Sequence, residues 1–164
     1  MNEKQLKTRI RIWLWIFIIG LALSGITAFP LETELAFLSA HAGAFPAAMG
    51  KWITTVYLAV KTTNAAYPYL AYGTDWLAFG HLVIASSFIG PLRNPVKNIW
   101  VIQYGMIACV MVFPLAFIAG PVRGIPVYWR LIDCSFGVFG IIPLYLCYKM
   151  IRKLERMQKG MRVV

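Results

Sequence analysis

The sequence lacks every short motif that would announce a familiar catalytic chemistry. It has no HExxH, no nucleophile elbow, no phosphate loop and no dinucleotide-binding fingerprint, and Gly120-Pro121-Val122-Arg123-Gly124 has the residues of a turn rather than of a phosphate cradle. Its three cysteines, Cys109, Cys134 and Cys147, have no CxxC spacing and lie inside apolar runs. An odd number of such residues gives no disulfide framework and fixes no redox compartment, so they read as small core side chains. The two histidines, His41 and His81, fall in different segments, with no second histidine on either helix and no cysteine near enough in sequence to complete a metal or haem site. No metal and no cofactor is therefore expected. Internal repeats and low-complexity stretches are also missing.

What the chain has in quantity is apolar surface. Of its 164 residues 60% are hydrophobic, and the mean hydropathy is +0.68, far above a soluble domain at about 45–50% apolar. Such a chain belongs in lipid. Four apolar stretches, at about residues 10–29, 75–92, 99–119 and 131–148, are each long enough to span a bilayer. They leave no room for a second domain, so residues 1–164 are read as one all-α membrane domain, a four-helix bundle. The first stretch follows Lys4, Lys7, Arg9 and Arg11 and ends in small residues, as a signal peptide does, but its length predicts a retained span.

Between the first two spans lies a segment, residues 31–74, that is neither a clean span nor a polar loop. Leu31 to His41 and Ala47 to Thr63 carry apolar residues at helical spacing, and Ala42-Gly43-Ala44-Phe45-Pro46 separates them. Trp52, Tyr57 and the Tyr-rich run that follows place this segment at a membrane–water interface. Pro30 ends the first span, and Arg93 to Asn98 forms a tight polar turn. Pro114 and Pro143 predict kinks in the third and fourth spans, and the basic tail from Lys149 prolongs the fourth helix.

Lys and Arg outnumber Asp and Glu by 16 to 6. In a soluble chain that excess would suggest a nucleic-acid partner. In four spans it has a simpler origin, because basic residues collect at the cytoplasmic ends of membrane helices. The N-terminal tail, the 93–98 turn and the C-terminal tail, with Lys149, Arg152, Lys153, Arg156, Lys159 and Arg162, hold twelve basic residues on one side, against Lys51, Lys61, Arg123 and Arg130 on the other. Both termini are thus expected in the cytoplasm, in a bacterial inner membrane or an equivalent one, with no nucleic acid as partner.

This orientation puts Glu32, Glu34, Asp75, Asp133, His41 and His81 on the outer half. His81 lies six residues beyond Asp75, roughly 9 Å along the second helix at 1.5 Å per residue. An ionisable group at that depth faces a bundle interior or a cavity, either as helix glue through a carbonyl or Asp133, or as a ligand contact. Asp133 stands three residues after Arg130, a spacing suited to a salt bridge, with Gly137 and Gly140 beyond it. Asp75 is expected to cap the second helix ahead of Trp76, and Glu32 and Glu34 to form a solvated helix start.

The layout resembles the EXPERA family, the four-helix membrane proteins of the sterol isomerase and sigma-2 receptor type. The residues that carry the likeness are Asp75-Trp76 at the head of the second span, Tyr104-Gly105 in the third and Ile141-Ile142-Pro143-Leu144 in the fourth. The resemblance implies a long outer segment between the first two spans, cytoplasmic termini and a pocket opening sideways to lipid. Where the family's second helix carries a buried acid, this chain offers His81.

Three functions are compatible with these features. The first is binding of a hydrophobic ligand, such as a lipid, a sterol-like molecule or a quinone, in an outer-half cavity lined by His81, Asp133, Asp75, Trp76 and Tyr104. The second is an accessory subunit that docks through residues 31–75 onto a larger membrane complex or a second copy. The third is an isomerase-like enzyme with His81 and Asp133 as acid and base.

Overall fold

The computed structural model describes residues 2–161; Arg162, counted above in the basic tail, lies outside them. Among the described residues the chain is all-helical: α1 Glu3–Ala28, α2 Leu31–Ala40, α3 Ala47–Ala66, α4 Ala71–Ser87, α5 Ile89–Arg93, α6 Ile99–Val122 and α7 Val127–Met161, with 3-10 turns at Ala42–Ala44 and Pro68–Leu70. Four stretches are long and apolar enough to cross a membrane: Glu3–Ala28, Pro68–Arg93, Ile99–Val122 and Val127–Gly160.

The first helix begins seven residues before the apolar run, for a reason visible in its first turn. The Gln5 backbone N–H donates to Asn2 Oδ1 at 2.9 Å, and the Asn2 N–H donates to Gln5 Oε1 at 3.1 Å. This reciprocal cap satisfies two amides that a helix start leaves without partners. Pro30 does end α1, and the chain restarts at once as α2.

The second span differs from expectation at its start. Helix α4 opens at Ala71, after the 3-10 turn that begins at Pro68, so Asp75 is its fifth residue and not its cap. His81, ten residues into α4, lies roughly 15 Å from its first residue rather than 9 Å. Helices α6 and α7 continue through Pro114 and Pro143, and α7 runs unbroken from Val127 into the basic tail.

The residues cluster into two units, Met1–Ile19 with Ser86–Val164, and Gly20–Ala85. In the first, Ile10 and Leu14 of α1, Phe88, Val101 and Ile102, and Leu144, Cys147, Ile151 and Leu154 of α7 form one buried apolar cluster. A polar tie secures its far end, where Gln158 Nε2 donates to Glu3 Oε1 at 3.0 Å. Helices α6 and α7 meet backbone to backbone. A Cβ added at Gly137 would lie 2.5 Å from the Cys109 carbonyl oxygen, and one at Gly140 would lie 2.9 Å from Cys109 Sγ. In the second unit α2 and α3 form a hairpin with Leu35 and Ile53 buried, and the last turns of α1 press on α4, where a Cβ at Gly25 would meet the Ala78 carbonyl at 2.8 Å.

The Gly137 contact yields a direct test. Gly137→Ala forces the α6 backbone away and should cost about 1–3 kcal/mol, read as a lower thermal midpoint in detergent. Gly20, with nothing within 4 Å of its added Cβ, should accept alanine unchanged or with a gain of up to about 1 kcal/mol from helix propensity. Equal responses at the two positions would show that α6 and α7 are not in backbone contact.

Candidate functional site

The α2–α3 hairpin and the start of α4 enclose a cavity of about 380 Å³. Phe29, Leu31, Val60 and Leu70 supply apolar wall; Glu32, Thr33, Thr63, Asn64, Thr74 and Asp75 supply polar groups. Asn64 Nδ2 donates to Glu32 Oε2 at 2.8 Å, tying the first turn of α2 to the last turns of α3. At the other end of the hairpin Ser39 Oγ donates to Thr54 Oγ1 at 3.2 Å. The helices are held in register from both ends, and the cavity lies beside the Glu32 tie.

Glu32 and Glu34 do stand in the first turn of α2, but Glu32 is not fully solvated. It is partly buried, hydrogen-bonded and part of the cavity wall. Among the described residues no Lys or Arg forms an ion pair with Glu32 or Asp75; the ion pairs found are Lys7 with Glu3, and Arg152 and Lys159 with Glu155. Two carboxylates, three hydroxyls and an amide around one space make a surface rich in acceptors.

Asp75 also lines an adjoining aromatic cleft of about 300 Å³ with Phe29, Tyr72, Trp76 and Phe79. There the Trp76 ring stands edge-on to Tyr72 at 5.9 Å and to Phe79 at 5.8 Å. Acid and aromatic side chains therefore share one end of α4, as the Asp75-Trp76 pair in the sequence suggests.

His81 is half-buried and donates its Nδ1–H to the Leu77 carbonyl of its own helix at 2.9 Å. With Nδ1 engaged, Nε2 is the ring nitrogen left for another partner. Its small neighbour Ala78 is covered by α1 at Gly25, whose added Cβ would also lie 2.9 Å from the His81 Cβ. His41 bonds in the same way to the Phe37 carbonyl at 2.8 Å, with its ring 4.5 Å from the Phe37 ring. No group of three or more His, Cys, Asp or Glu among the described residues is arranged to hold a metal ion. Tyr104 is half exposed on α6 and lines none of the cavities described here.

Asp133 belongs to a different cavity, of about 250 Å³, in the other unit, lined by Arg123, Arg130, Ala116, Ala119, Gly120 and Ile125 among others. The expected Arg130–Asp133 salt bridge does not form: no ion pair joins them. The cause lies on α6. The Arg130 stem occupies the space above Gly120, where an added Cβ would collide with Arg130 Cδ. Its Nε is buried with no acceptor among the described residues. The α6 terminus beside it is a closed cap. Gly124, at φ +68°, donates its N–H to the Pro121 carbonyl at 3.1 Å, and Ile125 N–H reaches back to Gly120 at 2.9 Å.

Sequence reasoning named Glu32 only as part of a helix start, and passed over Asn64, Thr33, Thr63 and Thr74 as site residues. The available signal was the polar run Thr62-Thr63-Asn64 closing an apolar helix. The Glu32–Asn64 tie can be weighed by a double-mutant cycle: Glu32→Ala, Asn64→Ala and the pair should give a coupling of about 1.5–3 kcal/mol in thermal unfolding, as for a hydrogen bond to a charged group. Additive losses would mean that the two side chains do not meet. Neither a protein-family model, nor a curated protein, nor a solved structure matches the chain.

Proposed function

We propose that the protein is a multi-pass membrane protein that binds an amphiphilic ligand in the cavity beside Glu32, Asn64 and Asp75. The observation that carries this reading is the lining itself: acceptor-rich at Glu32, Asn64 and Asp75, apolar at Phe29, Leu31, Val60 and Leu70. Ligand sites in general combine apolar walls with a few convergent polar groups. The acceptors favour a ligand whose polar end donates, such as the hydroxyl of a sterol-like molecule or a quinol, with its apolar body toward the aromatic cleft at Trp76. A pocket fed from lipid is also what the EXPERA resemblance implies. The distribution of basic residues supports cytoplasmic termini, with the α2–α3 hairpin at the outer interface.

An acid–base role for His81 with Asp133 has less to rest on, since the His81 ring is engaged by its own helix. The docking-subunit reading draws on the exposed Tyr67, Tyr69, Tyr72 and Trp76, rings that an interfacial location explains equally well.

The ligand reading is tested by thermal unfolding of the purified protein with a panel of a sterol, a quinone, its quinol and a long-chain alcohol. At least one donor-headed member should stabilise saturably, and Glu32→Gln with Asp75→Asn should weaken it about tenfold, the effect of losing about 1.4 kcal/mol. No stabilisation by any member, or an undiminished one in the double variant, would end the ligand reading. Orientation is tested separately: with native cysteines replaced, Gly43→Cys and Asn94→Cys should react with an impermeant maleimide from opposite sides of the membrane. Labelling from the same side would overturn the topology.

A further inference from the structure

The cavity at the α6–α7 turn combines charges that no described residue neutralises. Arg123, Arg130 and Asp133 all line it, and none of them forms an ion pair among the described residues. Arg130 is held by the notch at Gly120 with its Nε buried and without an acceptor. Arg123 is fixed at the C-cap of α6, its backbone N–H bonded to the Ala119 and Gly120 carbonyls. The rest of the lining is apolar: Val112, Leu115, Ala116, Ala119 and Ile125. Beside it, Leu115, Ile118 and Val122 stand largely exposed along α6.

Two guanidiniums with one carboxylate, above an apolar helix face, call for a ligand of matching pattern. Guanidinium donors suit phosphate oxygens, which accept from them bidentately. Asp133 would repel a simple anion, and accepts best from an ammonium group that carries N–H donors. We propose that this cavity binds the headgroup of a phospholipid with a primary ammonium, the phosphoethanolamine class, with phosphate at Arg123 and Arg130, ammonium at Asp133, and acyl chains along the exposed side of α6. A choline headgroup has no N–H to offer Asp133, and a glycerol headgroup has no cation. The site belongs to a different unit from the Glu32 cavity and depends on the membrane reading, not on the ligand reading above.

The experiment measures the thermal midpoint of the full-length protein in detergent as phosphatidylethanolamine, phosphatidylcholine or phosphatidylglycerol of identical chains is titrated in, alongside water-soluble phosphoethanolamine. The ethanolamine lipid should half-saturate at a concentration about tenfold lower than the other two, equivalent to one charge-assisted hydrogen bond of about 1.4 kcal/mol. Asp133→Asn should abolish that preference while retaining the response to phosphatidylglycerol. Arg123→Gln, at an exposed position whose loss leaves the helix cap's backbone bonds in place, should weaken all three. Equal responses to the three lipids, or a preference that survives both variants, would overturn the site. A response to soluble phosphoethanolamine as strong as to the lipid would overturn its assignment to a membrane lipid. Failure of the membrane reading is seen independently, as protein that does not sediment with membranes.

Discussion

The contact of Gly137 with the Cys109 carbonyl is the constraint around which the larger unit is arranged. In a hydrocarbon solvent, apolar side chains gain little by leaving lipid for one another, so helices are held by close van der Waals packing, which needs small residues at the crossing. Helix α6 provides such a stripe in Gly105, Cys109, Ala116 and Gly120, and α7 answers with Gly137 and Gly140. Gly105 admits Phe88 and Leu144, each within 2.8 Å of its added Cβ, and this brings the start of α5, which Phe88 precedes, onto the same core. Farther along, Gly120 is the place where the Arg130 stem lies down. One geometric choice, small residues on one face of α6, therefore governs both the packing of the unit and the charge pattern at its turn.

The smaller unit is organised by hydrogen bonds as much as by close packing. Its α2–α3 hairpin carries a tie at each end, Glu32 with Asn64 and Ser39 with Thr54. Polar ties of this kind fix register in a way that apolar contacts do not, because a slip by one turn leaves both partners unsatisfied. A cavity bordered by such a hairpin keeps its shape without a densely packed core beneath it.

The four spans were legible as apolar runs, since a helix of about 20 apolar residues leaves a signal that few other structures imitate. The start of the second span was not. Tyr67, Tyr69, Tyr72 and Gly73 read as a turn-rich stretch, whereas Pro68–Leu70 makes a 3-10 turn that feeds α4 at Ala71. Pro114 and Pro143 were read as kinks within the third and fourth spans, and both lie inside continuous helices, α6 and α7. At the site, Asp75 and Trp76 were legible because they are neighbours in sequence. Glu32 and Asn64 lie 32 residues apart, and only the register of the hairpin brings them together. Arg130 and Asp133 failed the opposite way: their spacing suits a pair, yet the arginine stem lies over a glycine of another helix and no ion pair joins them.

The division of α1 between the two units bears on the order in which the chain can acquire its structure. Residues 20–85 form a contiguous stretch, so their contacts can close as soon as α4 has been made. The other unit joins the first 19 residues to those after 85. Ile10 and Leu14 find Leu144, Ile151 and Leu154 only once α7 is complete. The buried face of the first helix therefore waits for the last one, and the making of α7 decides when the larger core exists.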